Sequence, residues 1–132
     1  MRAVIDTNVV VSGLINPHGA PGRVIDAVLA GVIIPLYDDR ILGEYRDVLR
    51  RKRFGFDVAV VDAFLDYVEC FGEPVIATGA GVTLPDPDDL PFLEVAIAGH
   101  ADAVITGNGR HFVPLAGHHQ VRICAPAEVA SR

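Results

Sequence analysis

The 132-residue chain is short of positive charge: 11 Lys and Arg stand against 17 Asp and Glu, a formal net charge of −6 at pH 7. A protein that binds polyanions through its overall field carries the opposite sign. Contact with nucleic acid would therefore need a local basic patch, or cations that offset the acids. Lysine is almost absent, Lys52 being the only one, and cysteine is limited to Cys70 and Cys124. No apolar run approaches the length of a membrane span, and the N-terminus lacks the pattern of a signal peptide, so a reducing cytoplasm is the expected location. Nor is there an internal repeat, a low-complexity block or a collagen period; the 13 Gly and 9 Pro are scattered between apolar runs. What the chain does have is apolar mass. At 51% hydrophobic and 21% charged residues it is too rich in core material to be disordered. A chain of this size buries roughly 65–70% of its unfolded surface, enough for one domain over residues 1–132 and poor for two.

Apolar runs of strand length alternate with stretches of helical period, the pattern of a parallel α/β sheet. Arg2–Ile5 reads as a strand covered on both faces. Pro21 opens a helical pattern with Val24, Ile25, Val28 and Leu29 inward and Gly31 as its C-cap. Val32–Leu36 reads as a second strand, weakened by Pro35. Asp38 or Asp39 caps a helix running to about Arg51, with Ile41, Tyr45, Val48 and Leu49 on its apolar side. A further helix over Asp57–Phe71 turns Val58, Val61, Phe64, Leu65 and Val68 inward. Pro74–Ala77 is the weakest strand. Leu90–Ala98 is helical, and Ala103–Thr106 and Val121–Cys124 complete the strands.

The acids fall at informative places. Asp6 follows the first strand directly, at the edge of an open parallel sheet where ligands bind; alternatively it only caps the next helix. Glu44 lies roughly 60° from Ile41 and 40° from Val48 around its helix, at the margin of the apolar stripe. There it is either drawn out of water for a purpose or paired with Arg40 or Arg51. Asp86, Asp88 and Asp89 precede the Leu90–Ala98 helix, where one cap would suffice; the surplus charge asks for a counter-ion, and Mg²⁺ or Mn²⁺ suits carboxylate oxygens. Thr106-Gly107-Asn108 ends a strand at the same sheet edge, as an ordinary turn or as a further oxygen donor. Carboxylates crowded together repel and are tolerated only when protonated or metal-bound.

Ala3-Val4-Ile5-Asp6-Thr7-Asn8-Val9 resembles the opening of PIN-domain ribonucleases, the family that includes VapC-type toxins. Leu42-Gly43-Glu44-Tyr45, Asp86-Pro87-Asp88-Asp89-Leu90-Pro91-Phe92-Leu93-Glu94 and Val104-Ile105-Thr106-Gly107-Asn108 fit its later motifs in order. The last two most resemble PIN-family toxins of toxin–antitoxin systems. The resemblance implies a three-layer α/β/α sandwich with a mainly parallel sheet of about five strands. It also implies an endoribonuclease that uses Mg²⁺ or Mn²⁺ on single-stranded or structured RNA. Carried over residue by residue, Asp6, Glu44 and Asp89 are the metal-binding acids, and the fourth acidic position falls on Asn108. Asn108 offers a neutral oxygen where the family is more acidic, which weakens the case for a second tightly held metal. Asn8, Asp86, Asp88 and Glu94 are auxiliary candidates, Glu94 reading more readily as a solvated helix residue. The expected partners are RNA, a cognate antitoxin protein and a second copy of the chain, with no membrane.

Arg50-Arg51-Lys52-Arg53 form the basic cluster, able to follow an RNA backbone or simply to complement the end of their helix; Arg110 and His111 lie nearer the acids. His118-His119 read as a surface turn, and Cys70 and Cys124 as buried free thiols. Two other readings compete. Asp6-Thr7-Asn8 looks superficially like an aspartyl-phosphate site, but such families need a lysine at a later strand end, and Lys52 is not there. The second is a catalytically degenerate PIN-like domain that acts as a protein- or RNA-binding module, a reading that Asn108 keeps open.

Overall fold

In a computed structural model, which describes residues 1–77, 79, 84–110, 112 and 121–130, the first apolar run forms strand β1 (Arg2–Ile5). Chain order continues through α1 (Thr7–Ile15), α2 (Ala20–Leu29), β2 (Ile34–Tyr37), α3 (Asp39–Leu49), α4 (Val58–Phe71) and β3 (Glu73–Pro74). It ends with α5 (Leu90–Ala98), β4 (Ala103–Ile105), β5 (Arg122–Cys124) and α6 (Pro126–Ala130). The five strands lie in the order β3-β2-β1-β4-β5, and every pairing is parallel. The order reverses at β1: β2 and β3 extend to one side and β4 and β5 to the other. Such a reversal opens a crevice outside the carboxyl ends of the central strands.

The sheet is a middle layer. Ala3, Val4 and Ile5 of β1 and Ala103, Val104 and Ile105 of β4 are at most 1% exposed, which requires cover on both faces. Helix α5 packs across β1, β2 and β4 and also meets α3, which meets α4; α1, α2 and α6 form a second group, with α2 against both neighbours. This is the expected α/β/α sandwich. Its helices start where short acids satisfy free N–H groups. Asp38 Oδ1 accepts from the Ile41 amide at 3.0 Å to begin α3, and Asp57 Oδ1 accepts from the Ala59 amide at 2.9 Å to begin α4.

Several details depart from the sequence expectations. The second strand begins at Ile34, two residues late, because Val32 lies in the preceding turn and is exposed. Pro35 sits inside it, opposite Ala3, at the cost of one ladder donor. The Pro74–Ala77 strand shrinks to Glu73–Pro74 beside the end of β2. Leu29 and Val58 face solvent, the one as the last residue of α2 and the other as the first of α4. Cys70 is exposed on the last turn of α4, whereas Cys124 is a buried free thiol as expected. Among the described residues no helix is long and apolar enough to cross a membrane. His118 and His119 lie outside the described residues.

Candidate active site

The end of β1 is tied to two other elements within three residues. The Ile5 carbonyl accepts from the Tyr45 hydroxyl, which anchors α3 against the strand. Tyr45 is fully buried, and that burial, with the charges of Asp6 and Glu44, pushes its phenol well up, so it stays a neutral donor. The Asp6 amide donates to the Ile105 carbonyl at 2.9 Å, extending the β1–β4 ladder by one rung. The Thr7 hydroxyl donates to Glu44 Oε2. Asp6 and Glu44 are thereby fixed at one edge of the sheet, one by strand pairing and the other by a helix pinned through its neighbour.

Asp6 precedes α1, yet its side chain makes no capping bond. Its Oδ2 accepts instead from the Thr106 hydroxyl at 2.7 Å, with Asp6 6% and Thr106 1% exposed. The same Thr106 oxygen accepts from the Asn108 amide at 3.0 Å. Thr106, which the sequence marks only as the last residue of a strand, therefore links the two strand ends. Asn108 stands at that edge as expected, with its side chain exposed.

Glu44 is half-buried and pairs with neither Arg40 nor Arg51. Burial pushes its carboxyl above the usual range; Asp6 and Asp88 push the same way, while the Thr7 hydroxyl and the charge of Arg51 act against them. Asp6, Glu44 and Asp88 thus share one electrostatic neighbourhood. Asp86 takes the capping role, its Oδ1 accepting from the Asp88 amide at 2.9 Å. Asp88 and Asp89 follow it at the start of α5, Asp88 exposed and Asp89 half-exposed.

Glu94 is not the solvated helix residue the sequence suggests. It is 7% exposed and its Oε1 accepts from Arg40 Nη1 at 2.7 Å; Arg40 Nε also reaches Asp38 Oδ2 at 2.8 Å. Its burial depends on a cation from another helix, which no pattern within α5 signals. The bridge fastens α3 to α5, the two helices that bring Glu44 and the Asp86–Asp89 acids to the sheet edge. Asn8 shows a different feature: its Oδ1 is buried without a hydrogen-bond partner among the described residues, close enough to Gly107 that a Cβ there would lie 3.9 Å from it. An orphaned buried carbonyl oxygen calls for a donor or a cation.

The oxygens gathered here (Asp6, Glu44, Asp88 and the orphaned Asn8 Oδ1) are all hard donors, which fit Mg²⁺ or Mn²⁺. Among the described residues no three His, Cys, Asp or Glu side chains form a ready metal-ligating group. Mg²⁺ does not need one, since it keeps several waters and takes one or two carboxylates directly. Of the basic candidates, Arg50 pairs with Asp62 at 2.8 Å and Arg51 with Asp47 at 3.2 Å, while Lys52, Arg53 and Arg110 are exposed. His111 lies outside the described residues.

The chain matches the family described as PIN domain over residues 2–110, a span that takes in every acid discussed above. It is 28% identical over 111 residues to an uncharacterized protein of Methanocaldococcus jannaschii, covering 82% of this chain and 71% of that protein. No solved structure matches it at a significant level.

Proposed function

The chain belongs to the PIN-domain family, a family of nucleases, and on that premise we propose that it is a metal-dependent endoribonuclease, one domain over residues 1–132. The observation that carries the reading is the pair of bonds that hold Asp6 and Glu44 at one sheet edge, Thr106 to Asp6 and Thr7 to Glu44, with the charge of Asp88 bearing on Glu44. A fold gains nothing in stability from forcing like charges together; a site that receives a cation does.

In this reading Asp6, Glu44 and Asp89 hold Mg²⁺ or Mn²⁺ directly or through water, with Asp88 and Asn8 Oδ1 as auxiliary oxygens. The cation supplies charge neutralisation at the scissile phosphate and lowers the pKa of the attacking water. The remaining work belongs to the chain. Thr106 and Thr7 orient the Asp6 and Glu44 carboxylates. Asn108, exposed beside Thr106, orients a water or a phosphate oxygen. Asp86 and Glu94, already committed to a cap and an ion pair, position the helices.

The resemblance of residues 86–94 and 104–108 to PIN-family toxins supports a narrower role, the toxin of a toxin–antitoxin pair restrained by a cognate antitoxin over the acidic edge. The primary test is cleavage of RNA by the parent and by Asp6→Asn with excess Mg²⁺ or Mn²⁺ and with a chelator. Metal-dependent cleavage by the parent and its loss in Asp6→Asn, with unchanged melting, is expected. An uncleaved substrate that is still bound would instead favour a degenerate, RNA-binding PIN-like domain.

A further inference from the structure

Beyond α3 the chain makes a 3-10 turn over Lys52–Phe54 and reverses at Gly55, whose φ of 63° is left-handed. A Cβ at Gly55 would meet nothing within 4 Å, so glycine serves the backbone here and not the packing. The reversal brings Phe56 onto Phe54, with ring centroids 5.7 Å apart and planes 18° from parallel. Phe56 also packs on the core, while Phe54 does not and keeps part of its ring in solvent. The Arg53 guanidinium lies over the Phe54 ring, 4.7 Å from its centroid. The chain therefore holds a small stack of arginine and two phenylalanines at its surface, where neither ring gains the full benefit of burial.

Charge distinguishes this turn from the helix before it. Arg50 and Arg51 are paired with acids, but among the described residues Lys52 and Arg53 have no acid partner. The turn follows the helix that carries Glu44: Glu44 and Arg50 are about 9 Å apart along the helix axis, and the charge of Arg51 is felt at Glu44. Two cations without an acid partner thus adjoin a half-exposed aromatic ring just beyond the end of that helix.

We propose that Lys52, Arg53, Phe54 and Phe56 form a subsite for an unpaired nucleotide of the RNA strand flanking the scissile phosphate, an inference that rests on the nuclease reading above. A nucleotide brings a π face and a phosphate in one unit: the exposed Arg53 side chain leaves the Phe54 ring to meet the phosphate, and the base stacks on the face it uncovers. An acidic protein segment would answer the cations alone and leave the ring without a role. A base inside a duplex is already stacked on its neighbours and has no free face, so the subsite selects RNA that is single-stranded on this flank. It also supplies the local basic patch that an acidic chain requires.

The test is binding of a short labelled oligouridylate in chelator, alone or annealed to its complement, together with cleavage in Mg²⁺ or Mn²⁺. Phe54→Leu should weaken single-strand binding by roughly tenfold, as expected for loss of one base–aromatic stack. Phe54→Tyr should bind like the parent and shows that stacking, not folding, is what changed. Lys52→Gln should lower the salt dependence of log Kd by about 0.7, one single-strand phosphate contact. Annealing should abolish the effect of Phe54→Leu. If the parent cleaves RNA while Phe54→Leu and Lys52→Gln bind it as the parent does, the subsite is overturned and the nuclease reading stands. If the parent neither binds nor cleaves RNA, both fall. Unchanged RNA binding by Phe54→Leu with loss of a purified antitoxin's binding would assign the turn to a protein partner.

Discussion

Glu44 is a carboxylate whose surroundings work against its charge. Because burial and the nearby Asp6 and Asp88 raise its pKa in the folded state, the native protein holds that proton more tightly than the unfolded chain does. Its contribution to stability is therefore present in full below the unfolded pKa and is lost as pH rises through the folded one. Metal-free thermal melts across that range should show a larger loss with rising pH for the parent than for Glu44→Gln. The amide of that variant would still accept from Thr7 yet cannot titrate. Equal slopes would mean that Glu44 is solvated like any surface acid. The placement of Asp6 and Glu44 was legible in the sequence, one from its position after an apolar run and the other from its angle to an apolar stripe. The roles of Thr7 and Thr106 were not. A hydroxyl carries no signal in a sequence until a partner from a distant segment reaches it.

At the scale of elements, Arg40 matters more than its half-exposed position suggests. It joins α3 to α5 through Glu94, whose carboxylate is only 8% exposed. Arg40→Met keeps most of the apolar stem but removes the Arg40 cation from that carboxylate. A loss of about 1–3 kcal/mol is expected, at the low end if solvent reaches Glu94 from the Arg40 side. Chemical denaturation measures it, and adding Glu94→Gln to Arg40→Met should recover part of the loss. Full additivity of the two substitutions would show that the bridge contributes nothing. Strands β1 and β4 and helices α3, α4 and α5 were readable because each has a cap or an apolar run of clear period. The two residues of β3 and the five of α6 are too short to display a period, and only their docking defines them.

For the whole molecule, net charge is the controlling quantity. A chain at −6 that gathers acids at one edge repels itself there, and a divalent cation that bound only the native state would relieve this. Mg²⁺ or Mn²⁺ should raise the melting temperature of the parent, and Asp6→Asn should reduce the rise. An equal rise in both would place the cation elsewhere on the acidic surface. One geometric fact also couples folding to the site. In β1 and β4, Ala3 faces Ala103, Val4 faces Val104 and Ile5 faces Ile105, and the same offset of 100 residues carries Thr106 to Asp6. Sliding that register by one residue would turn the whole strand over and part the pair. Asp6 therefore acquires its Thr106 bond only once β4 has joined β1 in this register, so strand pairing and assembly of this edge are a single event.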